Sequence, residues 1–283
     1  MLTIHHLNCG TFCPPARRWV NGEGSLREAG RLVCHCLLIE APAGLVLVDT
    51  GFGLGDIADP AGRLGRMIPA LSRPRLDAEE TAVRRVQQLG FSPRDVRHIL
   101  VTHLDPDHAG GLSDFPEAAV HATGREIDAA LNPTAMERQR YRAAQLAHGP
   151  RWVRHAPAGE RWMGFECVRD LPGLPPEILL VPLYGHSRGH SAVAVSTGRG
   201  WLLHAGDAYF YRGEVDPDAP SCPPALRVFQ RFAAVDDAAR LRNQARLREL
   251  ARERRGGVTI FSSHDPVELA RAQEAKAKPE GAE

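Results

Sequence analysis

The apolar positions of this chain fall into two periods. Short continuous runs at 32–39, 45–48, 99–101, 178–183, 192–195, 201–203 and 258–261 predict strands, the first two joined by a turn at Pro42-Ala-Gly44. Helical spacing appears at 77–89, where Ala82, Val83, Val86 and Leu89 share a face, Asp77 can cap and Gly90 can stop. It returns at 124–131, halted before Pro133. It also marks 236–254, which carries Leu241, Ala245, Leu247 and Leu250, and 267–273, with Pro266 near its first position. Strands that alternate with helices predict an α/β protein. No internal repeat or long linker divides the chain, so 1–275 is expected to be one domain and 276–283 a polar tail. The stretch 133–176, rich in Pro, Arg and Trp, reads as an insertion or a cleft cover.

Composition changes this picture little. With 283 residues, 43% hydrophobic and 24% charged, the chain can build a sizeable core. A formal net charge of +1 gives no electrostatic case for nucleic acid or membrane as partner, which leaves a small-molecule substrate. No apolar run is long enough for a membrane span and no secretory signal opens the chain, so the expected location is cytoplasmic. Arginines are dense from 240 to 255, but most lie off the apolar stripe, which predicts a solvated surface helix. Six cysteines form no C-x-x-C pair. Cys34-His35-Cys36 lies inside a buried run, where alternate side chains point to opposite faces and cannot converge on one metal. Cys9 and Cys13 flank a turn and are expected to be free thiols.

Chemistry enters at the ends of the apolar runs. The run 45–48 leads to Asp49, 99–101 to Thr102-His103, 178–183 to His186, 201–203 to His204-Ala-Gly-Asp207, and 258–261 to Ser262-Ser-His264. Strand ends on one sheet edge are where ligands gather in layered α/β proteins, so these five endings predict one site assembled from distant segments. The densest is Thr102-His-Leu-Asp-Pro-Asp-His108, whose imidazoles and carboxylates suit zinc, iron or manganese. Its donors are too closely spaced for one helix face and suit a loop beyond a strand.

Together these segments resemble the signature of the metallo-β-lactamase superfamily, from about Leu32 to His264. The resemblance implies an αββα sandwich of two mixed sheets flanked by helices. Asp49 matches the first motif, and His103, Asp107 and His108 match H-x-H-x-D-H. His186 matches the histidine of the Gly-His-Ser/Thr-x-Gly-His context, Asp207 the bridging aspartate and His264 the histidine after the last strand. The implied arrangement is one metal on His103, residue 105 and His186, a second on Asp107, His108 and His264, and Asp207 between them. This chain has Asp105 where the pattern has its second histidine, and a carboxylate there admits iron or manganese beside zinc. Asp49 and His190 are expected to support the ligands without binding metal.

The resemblance also implies a hydrolase in which a hydroxide held between two divalent ions attacks an ester-like or lactone-like carbonyl. Asp107 and Asp207 are the expected catalytic side chains, with Asp107 able to pass a proton to the leaving oxygen. The spacing and the ending Phe261-Ser-Ser-His-Asp-Pro266 look most like the N-acyl-homoserine lactonase branch. In that branch a tyrosine shortly after the bridging aspartate assists the substrate carbonyl. Here Tyr209 and Tyr211 flank Phe210, so those two tyrosines are the candidate substrate contacts. The competing readings are a phosphodiesterase of the same superfamily, a metal-binding protein without catalysis, and a di-iron redox protein.

Overall fold

Runs that are apolar at every position need partners on both faces, and the fold supplies them by stacking two sheets. The structure, a computed structural model, describes residues 2–254 and 256–277. Strands β1 (Thr3–Phe12), β2 (Leu32–Ala41), β3 (Gly44–Val48), β4 (Val96–Leu100), β5 (Ala119–Thr123) and β6 (Arg151–His155) form a six-stranded sheet in that order. It is antiparallel from β1 to β3 and parallel from β3 to β6. A small ribbon pairs β7 (Arg161–Trp162) with β8 (Phe165–Glu166). The second sheet has the order β12 (Val258–Phe261), β11 (Trp201–His204), β10 (Ser191–Ser196), β9 (Ile178–Pro182), with only β11 and β12 parallel.

The period of two sorts each strand's side chains between two cores. Between the sheets, Leu37, Ile39, Val46, Val48 and Leu100 meet Ile178, Leu180, Val193, Val195 and Phe261. The alternate residues Cys36, Leu38, Leu47 and Ile99 pack outward with Val83 and Val86 of the helix Ala82–Gln88 and Ile127 of the helix Gly124–Leu131. On the other side, Leu179, Val181, Ala194 and Leu203 pack with Leu247 and Leu250 of the helix Asp237–Glu253. The result is the four-layer αββα sandwich. Each fully buried Val, Leu or Ile contributes roughly 1.5–3 kcal/mol, which is why apolar continuity outweighs alternation in these strands.

Several elements depart from the sequence expectation, each for a local reason. The helix expected over 77–89 is broken, because Thr81 is extended (φ −66°, ψ 148°) and its hydroxyl donates to Ala78 O. Asp77 therefore caps only the 3₁₀ turn Ala78–Glu80. The arginine-rich helix begins at an Asp236 cap and turns most of its arginines toward solvent, with Arg240 the buried exception. Its buried face is Arg240, Asn243, Gln244, Leu247 and Leu250, while Leu241 is exposed. Arg240 donates to Gln230 Oε1, and Gln244 to Ala208 O and Glu214 Oε2, so hydrogen bonds replace an apolar stripe on half of that face. The helix Pro224–Ala233 escaped the sequence reading because Val228, Phe229 and Phe232 are exposed while Gln230 is buried. β1, β5 and β6 were also not anticipated.

Segment 133–176 is divided between layers: β6 extends the large sheet, while residues 137–146 lie beside the ligand-bearing loops. The last helix runs Pro266–Ala277, so it takes in the first residues of the expected tail; 278–283 lie outside the described residues. All six cysteines are free. No described helix is long and apolar enough to cross a membrane.

The strand ends are brought to one edge by tight backbone crossings. Gly51, just after β3, has φ +61°, and a Cβ there would lie 2.0 Å from Cys9 O. Gly51→Ala is therefore expected to lower stability by about 2 kcal/mol or more, read from the denaturant midpoint at unchanged m-value. A shift within error would show that the β1–β3 crossing relaxes without cost.

Candidate metal centre

Five strand ends deliver the polar side chains. Beyond β4, Asp105 precedes the short helix Pro106–Ala109, whose Pro106 and first-turn Asp107 suit a helix start. His108 N and Ala109 N both donate to Asp105 O, which closes the loop and turns Asp105, Asp107 and His108 toward one centre. His186 follows β9 across Gly185, and His264 follows β12. Asp207 follows β11 through Gly206, whose φ is +56° and where a Cβ would lie 2.6 Å from His190 Nε2. Only glycine allows that approach.

The donor atoms fall into overlapping groups: His103, Asp105 and His186; His103, His108 and Asp207; Asp107, His108 and His264. Asp207 stands between them. Its Oδ2 is 3.8 Å from His103 Nε2 and 3.5 Å from His186 Nε2, while its Oδ1 is 3.3 Å from His108 Nε2 and 3.1 Å from His264 Nε2. Asp105 Oδ2 lies 3.4 Å from His103 Nε2 and 3.2 Å from His186 Nε2. Asp107 Oδ2 lies 3.5 Å from His108 Nε2 and 3.6 Å from His264 Nε2. The carboxylate oxygens thus converge on imidazole nitrogens, at 3.1–3.2 Å for the His264–Asp207 and His186–Asp105 contacts and at 3.3–3.8 Å for the rest, an arrangement that a shared ion would fit.

The imidazoles are aimed from behind. With the ring proton assigned to Nδ1 by the hydrogen-bond network, His108 donates to Asp49 Oδ2 (2.8 Å), His264 to Val33 O (2.8 Å) and His103 to Thr102 Oγ1 (3.0 Å). Asp49 also accepts from Thr102 N (2.7 Å) and Thr102 Oγ1 (2.8 Å), so one buried carboxylate fixes two ligand-bearing positions. The Nε2 lone pairs are left facing inward. His103 Nε2, His108 Nε2 and Asp207 Oδ1 are buried without a hydrogen-bond partner, a costly condition that a bound cation relieves. The residues present therefore fit a pair of divalent ions.

The charge state agrees. Burial alone would raise the Asp207 carboxyl, yet His264, His108 and His103 hold it well below its usual value. Burial alone would lower His108, but Asp207, Asp107 and Asp49 push it well above the ordinary imidazole range, and Asp207 likewise raises His264. The pocket calls for positive charge on its second side. On the first side burial and Arg140 bring His186 down to about 4. Asp105, which burial would raise, is held well below its usual value by Arg140.

His190 stands beside the cluster with both ring nitrogens engaged: Nδ1 donates to Leu183 O (3.0 Å) and Nε2 accepts from Asp207 N (2.9 Å). It holds the Asp207 backbone and has no lone pair left to offer. His204 is similarly occupied by His35 O and Gly206 N. The structure does not bring the two candidate tyrosines to the cluster. Tyr209 is fully buried and its hydroxyl donates to Glu268 Oε1 (2.9 Å), while the Tyr211 ring stacks under Arg212. Phe210 faces the ligands instead, stacked on His264 at 4.6 Å and beside His186 at 6.0 Å. The alternation of an extended segment turns 209 and 211 away from the face that 210 occupies.

Two residues went unnoticed in the sequence. Glu126, fully buried, accepts from Leu104 N, Tyr141 Oη, Ser187 Oγ and Gly189 N, and so ties the 103–108 and 186–190 loops together. Its only sequence signal is the Thr123-x-x-Glu126 helix start, which marks a cap and nothing more. Arg140 pairs with Asp105 and gave no signal in a chain rich in arginine. His98, His121 and His155 lie on neighbouring strands. They form a hydrogen-bonded chain across β4, β5 and β6, with contacts of 2.9 and 3.0 Å, apart from the candidate ligand groups.

Comparison with known proteins agrees with this geometry. A family model described as the metallo-beta-lactamase superfamily matches residues 29–264. A probable metallo-hydrolase of Mycobacterium tuberculosis is 44% identical over 271 residues, 95% of this chain and 82% of its own length. An N-acyl homoserine lactonase of Bacillus thuringiensis is 25% identical over 259 residues, 89% of this chain and 91% of its own. The solved structure of a B. thuringiensis AiiA variant, with N-decanoyl-L-homoserine bound at its active site, has a like fold. Its TM-score is 0.70 at 22% identity, over 97% of this chain and 96% of that one.

Two expectations follow. Asp49→Ala removes the acceptor behind His108, so metal affinity should fall on the order of 10–100-fold, measured by competition with a chromophoric chelator. Unchanged affinity would mean that Asp49 serves the fold alone. The second concerns Glu268, whose carboxyl also accepts from Ser262 N and Ser262 Oγ. Burial, with Asp265 beside it, pushes its pKa up to about 8 from an ordinary 4.5. The folded protein then keeps a proton that the unfolded chain has released, so stability is lost as pH climbs from about 4.5 to about 8. Glu268→Gln should flatten that slope, so that its urea midpoint drops less than the wild-type midpoint between pH 5 and pH 8; parallel slopes would refute the assignment.

Proposed function

Because the chain belongs to the metallo-β-lactamase superfamily and is a hydrolase of that fold, we propose that it opens a lactone-like or ester-like carbonyl at a two-metal site, with zinc as the resident metal. The observation that carries this reading is the position of Asp207, whose carboxylate lies within 3.8 Å of His103 and His186 in one half of the candidate ligand set and of His108 and His264 in the other. The substrate class rests on lactonases that match nearly the full length of the chain. Two divalent ions on these donors would supply Lewis acidity and an activated water at neutral pH.

The protein's own part is arrangement and proton movement. His103, Asp105 and His186 would hold one ion, and Asp107, His108 and His264 the other, with Asp207 shared. Four imidazoles favour zinc, and the oxygen donors, Asp105 among them, leave iron and manganese admissible. Asp107 has a side chain 16% exposed, the least enclosed of the ligand set together with Asp105, so it can exchange a proton with a leaving alkoxide. Phe210 places a ring and no hydroxyl beside His264, so any tyrosine-like assistance to a substrate carbonyl is absent from that position. The six unpaired cysteines suit a reducing compartment, and the cytoplasm is the proposed location.

The test is metal content followed by turnover. Purified without chelator and reloaded with zinc, the protein is expected to hold close to two ions and to hydrolyse a simple lactone or activated ester. Asp207→Ala should abolish turnover and reduce metal content, since its loss disturbs both half-sites. Asp107→Asn should depress kcat more than it raises KM. A two-metal protein that is silent on a broad lactone and ester panel but cleaves bis-p-nitrophenyl phosphate would move the assignment to a phosphodiesterase. Silence on both would move it to metal binding without catalysis.

A further inference from the structure

The two half-sites differ in charge, and the cause is one arginine. In the first, Asp105 divides its oxygens: Oδ2 faces His103 and His186, while Oδ1 lies 2.7 Å from Arg140 Nε. The Arg140 side chain is only 11% exposed. Its guanidinium is clamped by main chain on its other edge, Nη1 donating to His186 O (2.6 Å) and Nη2 to Ala233 O (2.8 Å). Nη2 also lies 3.2 Å from His186 Nε2. That contact uses the ligand lone pair and must yield to an ion, whereas the other three leave the lone pairs free. The residues around Arg140 fix it further. Glu137 in the preceding turn pairs with Arg188 of the His186 loop, and Tyr141 Oη donates to Glu126. In the second half-site, Asp107 faces only His108 and His264, and among the described residues no arginine or lysine pairs with it.

We propose that Asp105 and Arg140 act as one charge-neutral unit in the first half-site, with Arg140 as a positioning residue that makes a carboxylate at 105 electrically equivalent to an imidazole. A buried carboxylate alone would add a full negative charge to that half-site. A guanidinium in contact with it cancels the charge at long range, and the Nε contact on Oδ1 leaves Oδ2 facing the two imidazoles. The pair is therefore interdependent. Replacing Asp105 by histidine in the presence of Arg140 does not create a better zinc site, because it strands a buried cation within reach of a dication, where their repulsion is strong. The unpaired Asp107 also makes the second half-site the more negative, so it fills first.

This inference rests on the two-metal reading, and its test separates the two. Apoprotein is titrated with zinc against a chromophoric chelator, and with cobalt, whose visible spectrum reports coordination. Wild type is expected to bind two ions in two steps. Asp105→His should weaken the weaker step on the order of 10–100-fold while the tighter step stays intact, which also shows that the variant is folded. Asp105→His combined with Arg140→Met should recover the weaker step to within a few-fold of wild type. If the histidine variant misfolds, Asp105→Asn alone and with Arg140→Met gives the same comparison with smaller steric change. A tighter or unchanged weaker step in Asp105→His, or no recovery in the double variant, overturns the proposal. Wild type binding a single ion overturns it as well, because Arg140 would then block the first half-site. Wild type binding none sinks the two-metal reading itself.

Discussion

Buried negative charge is the constraint around which this molecule is arranged. Asp49, Asp105, Asp107 and Asp207 meet His103, His108, His186 and His264 at one sheet edge, almost entirely removed from water. Carboxylates so placed are costly unless paired or bound to cations. The molecule answers with raised imidazole pKa values at His108 and His264 and with Arg140 at Asp105. What is left, His103 Nε2, His108 Nε2 and Asp207 Oδ1 buried without hydrogen-bond partners, is an arrangement that a bound cation would relieve. The αββα sandwich matters to function because it carries strand ends from both sheets to that edge.

Holding the cluster in register falls to a small set of buried polar residues, each joining segments far apart in sequence. Asp49 links β3 to Thr102 and His108. Glu126 links the 103–108 loop to the loop behind His186. His190 holds Asp207 N, and Gln244 reaches Ala208 O from the long helix. Each is fully hydrogen-bonded at the atoms that do the joining, so burial costs them little and the geometry gains rigidity.

Two local departures give the site its individual character. Asp105 pairs with Arg140 where the family pattern has its second histidine, and Phe210 sets an apolar ring against His264. In the proposed two-metal site the first would alter how the two half-sites share metal, and the second what a bound carbonyl would meet. Both changes lie beside atoms that chemistry would use, in a scaffold otherwise like that of the lactonases it matches.

The chain by itself determined the strands whose apolar runs are continuous and the candidate metal-ligand segments that follow them, because strand-end donors sit next to strong periodic signals. β12 and the helix Gly124–Leu131 were legible residue by residue, and His103, Asp107, His108, His186, Asp207 and His264 could be named from spacing and resemblance. Only the tertiary structure decided which face of the long helix is buried, since Arg240 and Gln244 go inward on hydrogen bonds that no periodicity reveals. It alone turned Tyr209 to Glu268 and Phe210 to the ligands, because alternation along an extended segment has two phases and packing selects one. It alone paired Asp105 with Arg140, 35 positions apart in sequence, because a charge partner is chosen by proximity in space, and one arginine among many carries no mark of its role.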